Sequence, residues 1–255
     1  MKIKLNGRFF AMSLLACSAL AGCGGGDSSS AVVTLPITTA EGIYKGIVTN
    51  SGNTDFRMLV LENGDFWTLY GNSIASVFNV AGFLQGTGTS DNGKFTSTNA
   101  KDFGLNPAEP VTLVATYDTA LQTIAGTASD VNFTGGPIPG SLYNYSTPAS
   151  LATVAGSWLT NSSTGESVSL TIASNGEFNA ISSLGCNFSG TVTPRPSGKN
   201  VFNVALTFGA APCGLPNQFA SGIALAYPLG NGKTELLAAV TNLTDTHGIV
   251  VSGTR

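Results

Sequence analysis

The sequence predicts an all-β protein of two tandem antiparallel meander domains, each a small lipocalin-like β-barrel in preference to a sandwich. Three observations carry that expectation. Apolar and polar residues alternate along nearly every segment after residue 40, Asn-Gly pairs punctuate those segments, and the two halves of the chain echo one another. In residues 201–208, Phe202, Val204, Leu206 and Phe208 make one apolar face, and Val168, Leu170 and Ile172 alternate with Ser167, Ser169 and Thr171. A period of two sends successive side chains to opposite faces of a sheet, so one face of each strand is made for burial. Asn63-Gly64 and Asn175-Gly176 sit between such runs. Asn-Gly accepts positive φ at both central positions of a tight turn, the hairpin signature.

The repeat keeps its order. Gly42-Ile43-Tyr44 answers Gly156-Ser157-Trp158, and Leu61-Glu62-Asn63-Gly64-Asp65-Phe66 answers Ala173-Ser174-Asn175-Gly176-Glu177-Phe178. Gly86-Thr87-Gly88-Thr89 then matches Gly190-Thr191-Val192-Thr193, and Asn92-Gly93-Lys94 matches Ser197-Gly198-Lys199. Each half has room for about seven or eight strands at the spacing of barrels and sandwiches. Closure into a barrel removes exposed strand edges. The expected division is a first domain over 41–135, a linker over 136–150 that opens on Gly136-Pro137-Ile138-Pro139-Gly140, and a second domain over 151–255.

Upstream, Lys2, Lys4 and Arg8 precede an apolar run over residues 9–21, the layout of a secretory signal peptide occupying residues 1–22. Leu20-Ala21-Gly22-Cys23 resembles the bacterial lipoprotein box. That resemblance implies that Cys23 is the first mature residue and its lipid attachment point, and Gly24 in place of Asp implies the outer membrane. The other reading is an ordinary secreted protein cut after Ala19 or Ala21, with Cys23 a free thiol. Residues 23–40, opening Gly24-Gly25-Gly26-Asp27-Ser28-Ser29-Ser30, read as a flexible tether. Taken with the repeats, Gly185-Cys186-Asn187-Phe188-Ser189-Gly190 and the terminal Val251-Ser252-Gly253-Thr254-Arg255, the chain resembles uncharacterised two-repeat envelope lipoproteins of proteobacteria. The resemblance implies an outer-membrane lipoprotein and supplies no catalytic residues; whether it faces the periplasm or the cell surface stays open. Gly156-Ser157-Trp158 is also similar to the Gly-x-Trp of lipocalin-type barrels.

The chain has 11 Lys and Arg against 14 Asp and Glu; without Lys2, Lys4 and Arg8 that leaves 8 against 14, a formal charge of −6. No basic stripe is available to nucleic acid. Cys17 leaves with the signal and Cys23 takes the lipid, so Cys186 and Cys213 are expected to pair as a disulfide in an oxidising compartment. Its reduction is expected to loosen the second half more than the first. Two cysteines and one distant histidine make no zinc set, and no metal or cofactor is expected.

Catalytic constellations are weak. His247, the single histidine, lies in a polar turn beside Asp245 and Thr246, with no Gly-x-Ser-x-Gly elbow in the chain. Glu62 with Asp65, and Glu166 with Glu177, flank turns, where carboxylates are ordinarily solvated and do not face a sugar across a cleft. Tyr44, Phe66, Trp158 and Phe178 are expected in the core, whereas Tyr143 and Tyr145 in the linker are candidate binding residues, since a linker need not pack. The expected function is non-enzymatic: a lipid-anchored envelope protein that presents β domains to a macromolecular partner, protein or glycan. The alternative is carriage of a small apolar ligand or lipid in a barrel lumen, with a hydrolase third. A sizeable apolar pocket in a lumen favours carriage.

Overall fold

The computed structural model describes residues 38–74 and 77–255. The signal peptide, Cys23 and most of the tether lie outside the described residues. Apart from one 3-10 turn at Leu151–Thr153, the regular elements among the described residues are strands. The first half runs β1 (Gly42–Thr49), β2 (Asp55–Val60), β3 (Asp65–Ile74), β4 (Val77–Thr87), β5 (Thr89–Asp91), β6 (Lys94–Asp102), β7 (Glu109–Asp118), β8 (Thr123–Ala128) and β9 (Val131–Pro137). The second half runs β10 (Gly156–Ser162), β11 (Ser167–Ile172), β12 (Glu177–Ser182), β13 (Asn187–Pro194), β14 (Phe202–Phe208), β15 (Phe219–Pro228), β16 (Thr234–Asn242) and β17 (Gly248–Thr254).

Both halves are closed antiparallel meanders, the up-and-down barrel architecture. In the first, β9 returns to β1 with Tyr44 opposite Pro137 and Thr49 opposite Asn132. Strand β5 continues β4 past Gly88 and pairs with β6, while Leu84–Asp102 and Gln85–Lys101 join β4 to β6 directly. Eight strands therefore surround the lumen, with β5 an extension of one of them. In the second barrel β17 closes on β10 through Thr160–Gly253 to Ser162–Val251.

The repeat is structural down to single hydrogen bonds. Tyr44 Oη donates to the Ala40 carbonyl at 2.8 Å, and Trp158 Nε1 donates to the Val154 carbonyl at 2.7 Å. In each barrel this aromatic lies four residues after a fully buried aliphatic residue and seals the end where the chain enters. The two Asn-Gly hairpins also match. Gly64 and Gly176 donate to Leu61 and Ala173, and the Asn side-chain oxygens accept from the Asp65 and Glu177 amides. Only the glycines adopt positive φ, 85° and 89°. The turns are thus type I followed by a left-handed glycine, and the expectation of positive φ at both residues is corrected. A Cβ on Gly176 would lie 2.1 Å from the Val192 carbonyl, because β13 packs onto the turn, with the Val192 amide donating to the Gly176 carbonyl at 2.8 Å.

Alternation divides the core into three. One cluster fills the first lumen (Phe56, Met58, Phe66, Phe95, Leu113 and Phe133 among others), and a second fills the other lumen around Trp158, Phe178 and Phe202. The third lies between the barrels. Leu59, Trp67, Leu69 and Phe83 from the outer face of the first meet Ile223, Leu225, Leu237 and Val250 of the second. The linker expectation is corrected here. Ile138, Tyr143 and Tyr145 are buried in that shared core, so the segment over residues 136–150 is docked by these side chains while most of its other residues stay exposed. The tether also ends earlier than expected. Ala40 is fully buried, its amide bonded to Ser90 Oγ, and the Thr38 carbonyl accepts from Tyr117 Oη, so residues 38–40 belong to the barrel floor.

Burial has a consequence for the tyrosines. Desolvation, with smaller contributions from Tyr117 and Glu41, pushes Tyr44 up to about 12. Burial first, and then neighbouring acidic or phenolic groups, also raises Tyr70, Tyr143, Tyr145 and Tyr227. A raised phenol stabilises the fold fully below its unfolded value of about 10, and that contribution is lost as pH rises through the folded value. We expect tyrosinate absorbance to appear above pH ~10 in a step that coincides with loss of the far-ultraviolet β signal. Smooth titration near pH 10 with the fold intact would contradict this packing.

Candidate functional site in the first barrel

The two lumens differ at their mouths. In the second barrel the loop between β14 and β15 folds over the opening, and Cys213 and Leu215 are buried against the lumen core. The Cys186–Cys213 disulfide ties that loop to the β12–β13 turn, with Cα atoms 4.5 Å apart. With Trp158 below and this lid above, the space inside the lumen is about 60 Å³, and a cleft of about 250 Å³ lies at its mouth between the lid, the β10–β11 turn and the β6–β7 loop.

The first barrel has no such plug at its upper end. Tyr44, Phe66 and Phe95 fill only the floor. Above them is a cavity of about 340 Å³, reached between the β1–β2, β6–β7 and β8–β9 loops. Its walls are mostly apolar, with Phe56, Met58, Leu84, Leu113 and Phe133 the main surfaces. Polar side chains interrupt them, Ser51, Asn53 and Ser129 at the loops and Thr68, Tyr70, Asp102 and Glu109 on the strands. Thr68 and Tyr70 follow Phe66 at the same two-residue phase on β3 and therefore point inward. Thr68 is only 9% exposed, and its hydroxyl has no hydrogen-bond partner among the described groups. Tyr70 Oη donates to Asp102 Oδ1 at 2.6 Å, and the Gly104 amide donates to the same oxygen at 2.8 Å. Burial, and then the hydrogen bond to Asp102, raises the Tyr70 phenol, so at neutral pH it stays protonated and donates. Glu109 is the direct cross-strand neighbour of Asp102 at the rim. The arrangement can hold a small molecule by its apolar body and hydrogen-bond a polar head; it has no nucleophile paired with a base.

The residues singled out in the sequence are elsewhere. Tyr143 and Tyr145 are not exposed binding residues: Tyr143 packs edge-on against Tyr227 at 5.8 Å and donates to the Asn200 carbonyl, and Lys199 Nζ lies 5.1 Å from the Tyr145 ring centre. Glu62 is bound to Arg195 of the second barrel at 2.8 Å. Asp65 and Glu177 serve their hairpins. His247 Nδ1 lies 2.9 Å from Thr246 Oγ1, while the Asp245 carboxylate accepts from Thr241. No group of three or more His, Cys, Asp or Glu placed to hold a metal occurs among the described residues. Thr68, Tyr70, Asp102 and Glu109 were missed. The signal for the first two was a polar residue in phase with Phe66 inside an apolar strand.

Neither a family model nor a curated protein matches the chain. Among solved structures the chain is similar to a DUF3598-family protein of unknown function from Nostoc punctiforme. The identity is 12%, over 84% of this chain and 94% of that one. The TM-score of 0.25 is too low for the likeness to carry an argument.

Proposed function

We propose that the chain is an exported lipoprotein, anchored through Cys23, whose first barrel binds a small amphipathic molecule. The observation that supports this is the cavity of about 340 Å³ in a lumen closed below by Tyr44 and open above. Small-molecule pockets start at roughly 300 Å³ and combine apolar walls with a few convergent polar groups. Display of Tyr143 and Tyr145 to a macromolecule loses its support, because both side chains are buried between the barrels. A non-enzymatic role is kept: Glu62 and Asp65 are held in structural bonds, and although His247 lines a cleft of about 250 Å³ with Ser162, Thr164 and Glu166, those three bond one another while His247 Nδ1 is taken by Thr246. The lipid would hold the binding barrel close to a membrane, a source and sink for such ligands.

The test uses a neutral fluorescent amphiphile, N-phenyl-1-naphthylamine. It is expected to brighten on binding and to saturate at one site per chain, and Ala128→Trp, which fills the cavity from β8, is expected to abolish this site. No saturable binding, or binding that Ala128→Trp leaves intact, would overturn the proposal.

A further inference from the structure

Resting on that reading of the first lumen, we infer that its ligand is cationic: an amine-headed amphiphile whose charge sits between Asp102 and Glu109 while its apolar body occupies the cavity. Two independent features support this. The first is charge. The cavity lining contains two carboxylates and no Lys, Arg or His. Asp102 and Glu109 are paired directly across β6 and β7, an arrangement that costs stability when both positions carry the same sign. The nearest cation in sequence, Lys101, is turned away, and its Nζ donates to the Asp245 carbonyl of the second barrel at 2.6 Å. A bound ammonium group would relieve the repulsion at the rim and accept no competition from a built-in counter-ion. A fatty acid carboxylate would add a third negative charge to that rim.

The second feature is Thr68. Thr68 lines the cavity, and its hydroxyl is buried and lacks a partner. Buried polar groups are ordinarily paired, because desolvation without a bond is costly. A ligand that reaches below the rim can meet both needs: its ammonium N–H donates to the free oxygen of Asp102, and its buried portion offers Thr68 a partner once that hydroxyl turns inward. Tyr70 and the Gly104 amide already hold Asp102 Oδ1, so the carboxylate is oriented before the ligand arrives.

The test is displacement of N-phenyl-1-naphthylamine by three probes with one chain length: octylammonium, 1-octanol and octanoate. Octylammonium is expected to compete at about a tenfold lower concentration than octanoate. The preference should fall to near parity in Glu109→Gln, an exposed position, and in Asp102→Asn, which keeps the side-chain shape. Asp91→Asn, on β5 opposite Lys94 at the far end of β6, carries the same loss of charge and should leave the preference intact. Octanoate competing as well as octylammonium would overturn the inference, as would a preference that survives in both rim variants, and the lumen site would remain. Failure of the naphthylamine itself to bind would remove the lumen reading and this inference together.

Discussion

Phe83→Ala is expected to cost about 3–5 kcal/mol and to lower the unfolding temperature of the whole molecule, not of the first barrel alone. Phe83 is fully buried on the outer face of β4. Its ring is stacked against Trp67 at 5.6 Å and Phe103 at 4.9 Å. The second barrel closes over this stack: a Cβ placed on Gly248 would lie 2.5 Å from the Phe83 ring. Truncation therefore leaves a cavity at the seam, where neither barrel can collapse without moving the other. The seam also holds Glu235, almost fully buried, with Tyr227 Oη 2.5 Å from Oε2. Two ion pairs, Glu62–Arg195 and Glu41–Lys199, cross at its edge. Calorimetry should show one transition, displaced by roughly 10 °C. Two resolved transitions, with only the first moved, would mean that the barrels are independent.

Removing the disulfide with Cys186→Ser and Cys213→Ser is expected to cost roughly 3–4 kcal/mol by loop-closure entropy, for a cross-link spanning 27 residues. Sequence alone places this loss mainly in the second half. The shared core changes the expectation: the midpoint falls for both barrels in one step. A second effect follows from the position of the bond. It pins Cys213 and Leu215 over the second lumen, so the variant should admit a second equivalent of N-phenyl-1-naphthylamine into an apolar chamber that has room for only about 60 Å³ in the parent. Unchanged stoichiometry would show that the loop stays in place without its tie.

Strands, turns and the repeat were legible because their causes are local. Period two, an Asn-Gly pair or a glycine two residues before an aromatic needs no knowledge of distant chain. The seam was legible only in part. Strands β15 and β16 are apolar on both faces (Ile223, Leu225 and Leu237 outward; Ala224, Leu236 and Val240 inward), and a two-faced run signals burial on both sides. That signal was present, but not which surface would cover the outer face. Tyr143 and Tyr145 gave no warning, since nothing around them in sequence shows that their segment docks. The juxtaposition of Asp102 with Glu109 was beyond reach. It depends on the register of β6 against β7, which shifts between Ser97 and Ala100, and a slip of one residue sends every side chain to the other face.

The lumen site has a built-in reporter. The chain's methionines are Met1, Met12 and Met58, and Met58, the one among the described residues, is fully buried on the cavity wall. With methyl-labelled methionine, the Met58 resonance should shift on saturation with N-phenyl-1-naphthylamine and stay fixed in Ala128→Trp. A Met58 methyl unmoved while the amphiphile binds would place the ligand elsewhere and contradict the assignment of the first barrel as the binding site.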